Sequence, residues 1–418
     1  MRKSSTGIKM NRLDHNFAGA KVLVTGATGF TGSVLVRKLA AAGAEVHAIA
    51  RETSNLKPFE GLKIIWHKGQ VYDEAVVAEA AKDVQYVFHL AAAYREAKYG
   101  DEMYRKVHVQ STQLLAKAVL SGSNPNGAKI SPGSPQARPP QTVLPSNMEG
   151  EAVLSRQQNG AKTFNLAPFG SDHKIKNNPE LSIKVRFDPE GGFKRFVHVS
   201  TVGVHGHIAN PPADENYPFH PGDIYQETKA EAELWLRQFA AENKLPLTVI
   251  RPAAIYGPGD TRLLKFFRMA SKRFLILPGT KRGLYHLVHV DDLTDVLMLA
   301  ATHPAALNEV FICGNPECMS LEQIARVVAD ELGTHFRVVR LPAFPFFLAA
   351  DICEKICRKI GVEPPIHRRR LAFFTKDRSF DTRKLREKLG YTMKYTNEQG
   401  LRETTRWYCA HGLLRKQT

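Results

Sequence analysis

Lys21-Val22-Leu23-Val24-Thr25-Gly26-Ala27-Thr28-Gly29-Phe30-Thr31-Gly32 is the stretch that decides the fold. A short run rich in valine ends in a turn holding three glycines. Ser33 to Ala42 then reads as an alanine- and leucine-rich helix, and Glu45 to Ala50 as a second strand. Strand, turn, helix and strand in that order make a βαβ unit. Gly26 allows the sharp turn, and Gly29 lets the backbone approach a pyrophosphate with no Cβ in the way. The helix beginning near Gly32 aims unpaired N–H groups and its positive dipole end at the anion.

Working outward, Lys63 to Trp66, Tyr86 to Leu90, Phe196 to Ser200, Leu247 to Arg251 and Glu309 to Cys313 read as further strands. Helical stretches such as Met103 to Leu120 and Gln226 to Glu242 separate them. This alternation predicts a doubly wound α/β fold, a parallel sheet with helices on both faces. Ser123 to Gly192 breaks the rhythm, with 9 of the 24 prolines and 7 glycines in 70 residues, and reads as an insertion. Within it Leu181 to Phe187 alternates cleanly and could fold back as a hairpin onto Phe193 to Val199. The insertion is either a disordered tether or a lid or partner-binding element. Met1 to Phe17 reads as a loose tail.

The second strand ends at Arg51, where an acidic residue would accept bonds from a free ribose 2′-hydroxyl. A guanidinium there favours a 2′-phosphate, hence NADP over NAD, although Glu52 follows at once. Tyr225-Gln226-Glu227-Thr228-Lys229 sets a phenol and an ammonium one helical turn apart. A free tyrosine, with a pKa of about 10, is protonated at neutral pH. A neighbouring ammonium favours the phenolate and makes it a competent base. Ser200 and Thr201 end a strand at the sheet's carboxyl edge, where a hydroxyl can bond a substrate oxygen.

Together these residues resemble the extended short-chain dehydrogenase/reductase family, which contains NAD-dependent epimerases and dehydratases and the 3β-hydroxysteroid dehydrogenases. The resemblance runs from Lys21 to about Gly412 outside the insertion. It is carried by the glycine turn, His89-Leu90-Ala91-Ala92, Ser200-Thr201, Tyr225 with Lys229, Arg251-Pro252-Ala253-Ala254-Ile255-Tyr256-Gly257-Pro258 and His289-Val290-Asp291-Asp292. It implies a Rossmann-type domain over residues 20–258, with later strands returning around 284–313, and a smaller substrate-binding domain over most of 259–418. It makes Tyr225 the catalytic acid/base, with Thr201 orienting the substrate and Ser200 as its backup. Lys229 would hold the nicotinamide ribose. Gly26, Thr28, Gly29, Phe30 and Gly32 would cradle the cofactor's phosphates. Arg51, Gln70, Val71, Leu90, Ala91, Ala92 and Pro252 would line the rest of its site. A homodimer through the Met103 to Leu120 and Gln226 to Glu242 helices is a further implication.

Two positions depart from the family's pattern. Gln70 stands where an aspartate usually contacts adenine, and His108-Val109-Gln110-Ser111-Thr112 replaces a motif that usually opens with asparagine. His108 reads as structural, and since neither change touches the proton donor, altered cofactor affinity rather than lost chemistry is expected. Ala253 and Ala254 replace an asparagine usual in nucleotide-sugar members, and Phe344, Phe346, Phe347, Phe373 and Phe374 add apolar surface. An alicyclic or aromatic secondary alcohol, oxidised to its ketone, fits this best. Arg262, Arg282 or Arg368 to Arg370 could instead hold a diphosphate, which keeps a nucleotide-sugar epimerase or dehydratase open. A non-catalytic dinucleotide-binding sensor or scaffold is the alternative of another class.

The 418 residues carry a formal charge of +17, and Arg340 to Thr418 holds 18 basic against 8 acidic residues. No interleaved aromatic and basic motif points to nucleic acid. Leu341 to Leu348, followed by Lys355, Arg358 and Lys359, could rest on a membrane surface or pack in a core. Charges interrupt every apolar run short of a membrane span, and Met1 to Gly19 lacks a signal's apolar middle, so a cytoplasmic enzyme is expected. Five cysteines without paired spacing suggest reduced, buried thiols and no metal site.

Overall fold

The computed structural model describes residues 17–93, 100–122, 192–279, 283–359 and 377–416. The hairpin expected at Leu181 to Phe187, Arg282, Arg368 to Arg370, Phe373 and Phe374 lie outside the described residues.

Seven parallel strands form the central sheet. They are β1 (Lys21–Thr25), β2 (Glu45–Ala50), β3 (Ile64–Lys68), β4 (Tyr86–His89), β5 (Arg195–Val199), β6 (Leu247–Pro252) and, after the short strands described below, β11 (Glu309–Cys313). Their spatial order, β3-β2-β1-β4-β5-β6-β11, reverses direction between β1 and β4. At that switch point the carboxyl ends of two strands part and open a crevice. Buried residues alternate between the faces, as the period of two in a strand requires. Val22 and Val24 pack with Leu35, Val36 and Leu39 of α1 (Phe30–Ala41) and Leu293 and Leu297 of Val290–Thr302. Leu23 points the other way, toward Leu115, Val119 and Leu236. The latter come from α4 (Ser111–Gly122) and α5 (Ile224–Asn243).

Helix ends are set by local chemistry. Asp73 caps α2 (Glu74–Ala80), accepting from the Ala75 N–H at 3.1 Å, and Asp223 caps α5 through the Gln226 N–H at 3.0 Å. Gly43, at φ +80°, lets the chain leave α1 and turn into β2. A short α3 (Asp101–Arg105) passes into one π-helical stretch, Lys106–Gln110, before α4.

A smaller unit gathers on β7 (Ala254–Tyr256), α6 (Leu264–Ala270), β8 (Phe274–Pro278), β9 (Leu284–Tyr285), β10 (Leu287–His289), α7 (Val290–Thr302), β12 (Met319–Ser320), α8 (Leu321–Leu332), β13 (Arg337–Leu341), α9 (Ala343–Lys359) and the helix Asn397–Ala410. Its own core joins Phe267, Leu275, Ile324, Val328, Leu401 and Tyr408. Two helices reach back to the sheet. α7 lies on its α1 face, and Leu385 and Leu389 of the helix Arg383–Leu389 enter the main core with Phe311. The carboxy-terminal third therefore serves both units.

Phe17 is no loose tail. It is fully buried, with its ring 5.2 Å from that of Tyr86, so it packs inside the core. Of the five cysteines, Cys313 and Cys357 are buried and the other three half-buried, so burial is only partly the rule expected. No described helix is long and apolar enough to cross a membrane.

Candidate active site

The glycine turn packs tightly against the exit of β4. Gly26 sits at φ +72°, and a Cβ there would lie 2.9 Å from the Leu90 carbonyl carbon and from the Ala91 nitrogen. A Cβ on Gly32 would run into the Gly26 carbonyl oxygen. Gly29 is the extended N-cap of α1, whose first turn has neither a side-chain cap nor an acidic residue. An uncapped, acid-free helix start beneath a glycine-rich turn fits a dinucleotide's pyrophosphate. Thr28 and Phe30 flank this start. The Arg262 guanidinium lies 5.3 Å from the Phe30 ring centroid and is held by Asp260 at 2.7 Å and by the Ile255 carbonyl at 3.0 Å, so a loop of the smaller unit borders the turn.

The rest of the expected cradle follows the strand ends. Arg51 and Gln70 are exposed just past β2 and β3, Val71 is half-buried, and Asp73 beside them is committed to its helix cap. Leu90, Ala91 and Ala92 leave β4 and Pro252 closes β6, so the sheet's carboxyl edge brings them together with the glycine turn.

Three consecutive turns of α5 carry Tyr225, Lys229 and Glu233 along one face. Lys229 is buried, and its Nζ donates to the Val199 carbonyl at 3.0 Å, anchoring the helix to the end of β5. Burial lowers its pKa to about 8, with Glu233 pulling weakly the other way. Glu233 is fully buried in a two-oxygen pair with Arg251 of β6, at 3.2 and 3.1 Å from Nε. Burial raises its carboxyl pKa, but the Arg251 and Arg237 charges outweigh this and hold it below the ordinary value. The Arg251 guanidinium also donates to the Glu215 carbonyl at 2.7 Å and to Nε2 of His205 at 3.2 Å.

Thr201 and Ser200 separate clearly in this setting. Ser200 is buried beside Glu233, whereas half-buried Thr201 accepts the Gly203 N–H at 3.0 Å through Oγ1. That bond occupies an acceptor site on Thr201 and leaves its O–H to donate.

A histidine network that the sequence did not foretell lies beneath. The Ala91 N–H donates to Thr25 Oγ1 at 3.3 Å, and Thr25 Oγ1 lies 2.7 Å from His89 Nδ1. His89 Nε2 lies 2.9 Å from Thr112 Oγ1, which donates to the His108 carbonyl at 2.6 Å. The direction of the last bond makes His89 the Nε2–H tautomer. His108 takes the opposite one, because its Nε2 accepts the Ala93 N–H at 3.0 Å. Its Nδ1–H therefore serves Thr228 Oγ1, 2.7 Å away. Burial, with the Lys229 charge among the further causes, holds His89, His108 and His198 well below the ordinary imidazole pKa, so all three are neutral. Among the described residues no three His, Cys, Asp or Glu side chains gather as a metal site.

A family model described as the NAD dependent epimerase/dehydratase family matches residues 22–135 and 185–314, more than half of the 418 residues. The chain belongs to this family. This family of NAD-dependent enzymes is of the extended short-chain dehydrogenase/reductase type. A relative from Arabidopsis thaliana, 3beta-hydroxysteroid-dehydrogenase/decarboxylase isoform 2, is 27% identical over 234 residues, covering 51% of this chain and 41% of that protein. The UDP-glucose 4-epimerase of Vibrio cholerae is 25% identical over 256 residues, 60% of this chain and 69% of that one. Thus the chain spans well under half of the Arabidopsis protein. The solved UDP-glucose 4-epimerase of Thermotoga maritima matches with a TM-score of 0.62 at 20% identity, covering 94% of this chain and 99% of that one, a likeness of fold.

The site depends on two features that the linear reading missed. Glu233 had a local signal, an acid one turn beyond Lys229, but its partner Arg251 is found only by folding β6 against α5. The Thr25–His89–Thr112 series had none, since its members come from three separate elements.

Proposed function

We propose that this family member interconverts a secondary alcohol and its ketone by hydride transfer with a nicotinamide dinucleotide. The observation that carries the reading is the junction of β5 and α5. There buried Lys229 clamps the helix bearing Tyr225 to the strand that delivers the Thr201 hydroxyl. The bound nicotinamide would supply the hydride acceptor or donor. Thr201 donates a hydrogen bond to the reacting oxygen, Tyr225 moves the hydroxyl proton, and Lys229 favours the phenolate. The glycine turn and α1 hold the pyrophosphate.

Arg51 supports NADP over NAD, since an exposed guanidinium just past β2 can meet a 2′-phosphate. Ala253, buried, and Ala254, half-buried, support an apolar alcohol, in keeping with the name of the Arabidopsis relative. Phe344 does not contribute to such a pocket, because it is largely exposed. The Vibrio cholerae relative supports a second reading, a nucleotide-sugar epimerase. That enzyme would use the same hydride step twice. A homodimer through α4 and α5 belongs to this proposal, with light scattering as its check.

The deciding experiment mixes the protein with NAD or NADP and a panel of alicyclic and aromatic secondary alcohols, and follows absorbance of the reduced cofactor. Alcohol-dependent reduction, with NADP bound more tightly, supports the reading. Dinucleotide binding without turnover on any alcohol, ketone or nucleotide sugar would point to a sensor or scaffold. Native mass spectrometry separates the enzymatic readings, since a retained NAD belongs with an epimerase.

A further inference from the structure

Eight large hydrophobic side chains are exposed among the described residues, and six of them lie on β8, β13 and α9 of the smaller unit: Phe274, Ile276, Leu341, Phe344, Leu348 and Ile352. Their arrangement follows from local geometry. β8 alternates, with Leu275 and Leu277 buried in the smaller core and Phe274 and Ile276 turned outward. β13 pairs with it in parallel, setting Arg337 beside Phe274 and Leu341 beside Pro278 on that outer face. Two residues later α9 begins and presents Phe344, Leu348 and Ile352 at intervals of four, the spacing of a single helical face. Phe344 is 75% exposed, an extreme value for a phenylalanine in a folded protein.

Basic side chains border the β8 and β13 part of this surface, while α9 carries Asp351 and Glu354 alongside Lys355, Arg358 and Lys359. Leu264 to Leu277 contains Lys265, Arg268, Lys272 and Arg273 and no acidic residue. All four are exposed, as is Arg337. The Arg273 guanidinium sits 5.6 Å from the Phe274 ring centroid, so apolar and cationic groups interleave. A second copy docked on the same face by two-fold symmetry would bring these cations onto their own counterparts. An anionic bilayer complements both features at once, burying rings in the headgroup boundary while its lipids neutralise the basic rim.

We infer that the outer face of β8 and β13 together with the Phe344-Leu348-Ile352 face of α9 docks the protein on an anionic membrane surface. The inference stands apart from the redox reading, since none of its residues belongs to the catalytic or cofactor site. Docking there would set the smaller, substrate-side unit against the lipid.

The test is co-sedimentation of the full chain with phosphatidylcholine vesicles, with and without phosphatidylglycerol, alongside a Phe344→Trp variant read by fluorescence. Binding should require phosphatidylglycerol and weaken with salt. It should fall roughly tenfold or more in a Lys272→Glu, Arg273→Glu variant, with a similar loss for Phe344→Ser with Leu348→Ser. Emission of the introduced indole, taken as the difference between the Phe344→Trp variant and wild type, should shift to the blue only when anionic vesicles are added. Absence of co-sedimentation at low salt overturns the inference. So does an indole spectrum indifferent to vesicles, whether already blue from cover by the protein's own chain or shifting with protein concentration, which would assign the face to a second copy.

Discussion

The Nδ1 of His108 lies 2.7 Å from Oγ1 of Thr228, the residue before Lys229 on the turn that also carries Tyr225. The same imidazole accepts the Ala93 N–H at 3.0 Å, and its ring lies edge to face with that of Tyr225 at 5.4 Å between centroids. One neutral side chain thus ties the exit of β4, beside the glycine turn, to the helix bearing the candidate proton donor Tyr225. The expectation that His108 is structural understates this, because what it holds in place is the candidate site.

His108→Ala removes both bonds and lets Tyr225 shift, so kcat should fall roughly 10²-fold while cofactor affinity changes less. His108→Asn, with an amide able to accept from Ala93 and donate to Thr228, should restore part of the rate. Steady-state kinetics on the three proteins is the check, and an unchanged kcat in His108→Ala would remove His108 from this role.

Lys229 gives a pH signature. Its folded pKa of about 8 lies below the ordinary lysine value of 10.5, so between these values the unfolded chain binds the extra proton. Stability contributed at this position therefore rises with pH across that window. Urea melts should show wild type gaining about 2 kcal/mol relative to Lys229→Met between about pH 7.5 and 9.5. A difference that stays flat with pH would mean that Lys229 is not desolvated.

Thr201→Val removes both the acceptor for the Gly203 N–H and the free O–H. Turnover should fall about 10²-fold, with stability reduced by about 1 kcal/mol from the lost turn cap. Thr201→Ser should keep both, and full activity in the valine variant would shift the substrate contact elsewhere.

Glu233 and Arg251 form a fully buried pair, so removing one charge strands the other. Glu233→Gln should cost about 3–5 kcal/mol in chemical denaturation. A cost under about 1 kcal/mol would show that the pair is not desolvated as its position indicates.

Much of this architecture can be read in the linear chain because local rules carry it. The valine run, the glycines at 26, 29 and 32, and the tyrosine–lysine spacing are each set by neighbours within a few residues, and the structure places each in the element expected. Boundaries moved by a few residues where caps decide them, as at Asp223, whose cap starts α5 at Ile224, two residues before Gln226. What stayed hidden depends on distant contacts. Phe17 is buried only because β4 lies beside it, and Arg251 acquires meaning only when Glu233 arrives from another element. Leu341 to Leu348 reads as either a membrane-surface or a core segment until the helix carrying Phe344 is seen to leave that face bare.

The central claim is that Tyr225 moves the proton while the glycine turn holds the dinucleotide. Its most direct test is Tyr225→Phe, measured in parallel for cofactor dissociation constant and for turnover with a substrate active on wild type. The account predicts a dissociation constant within a few-fold of wild type and turnover lower by roughly 10²- to 10⁴-fold. Turnover equal to wild type would contradict it.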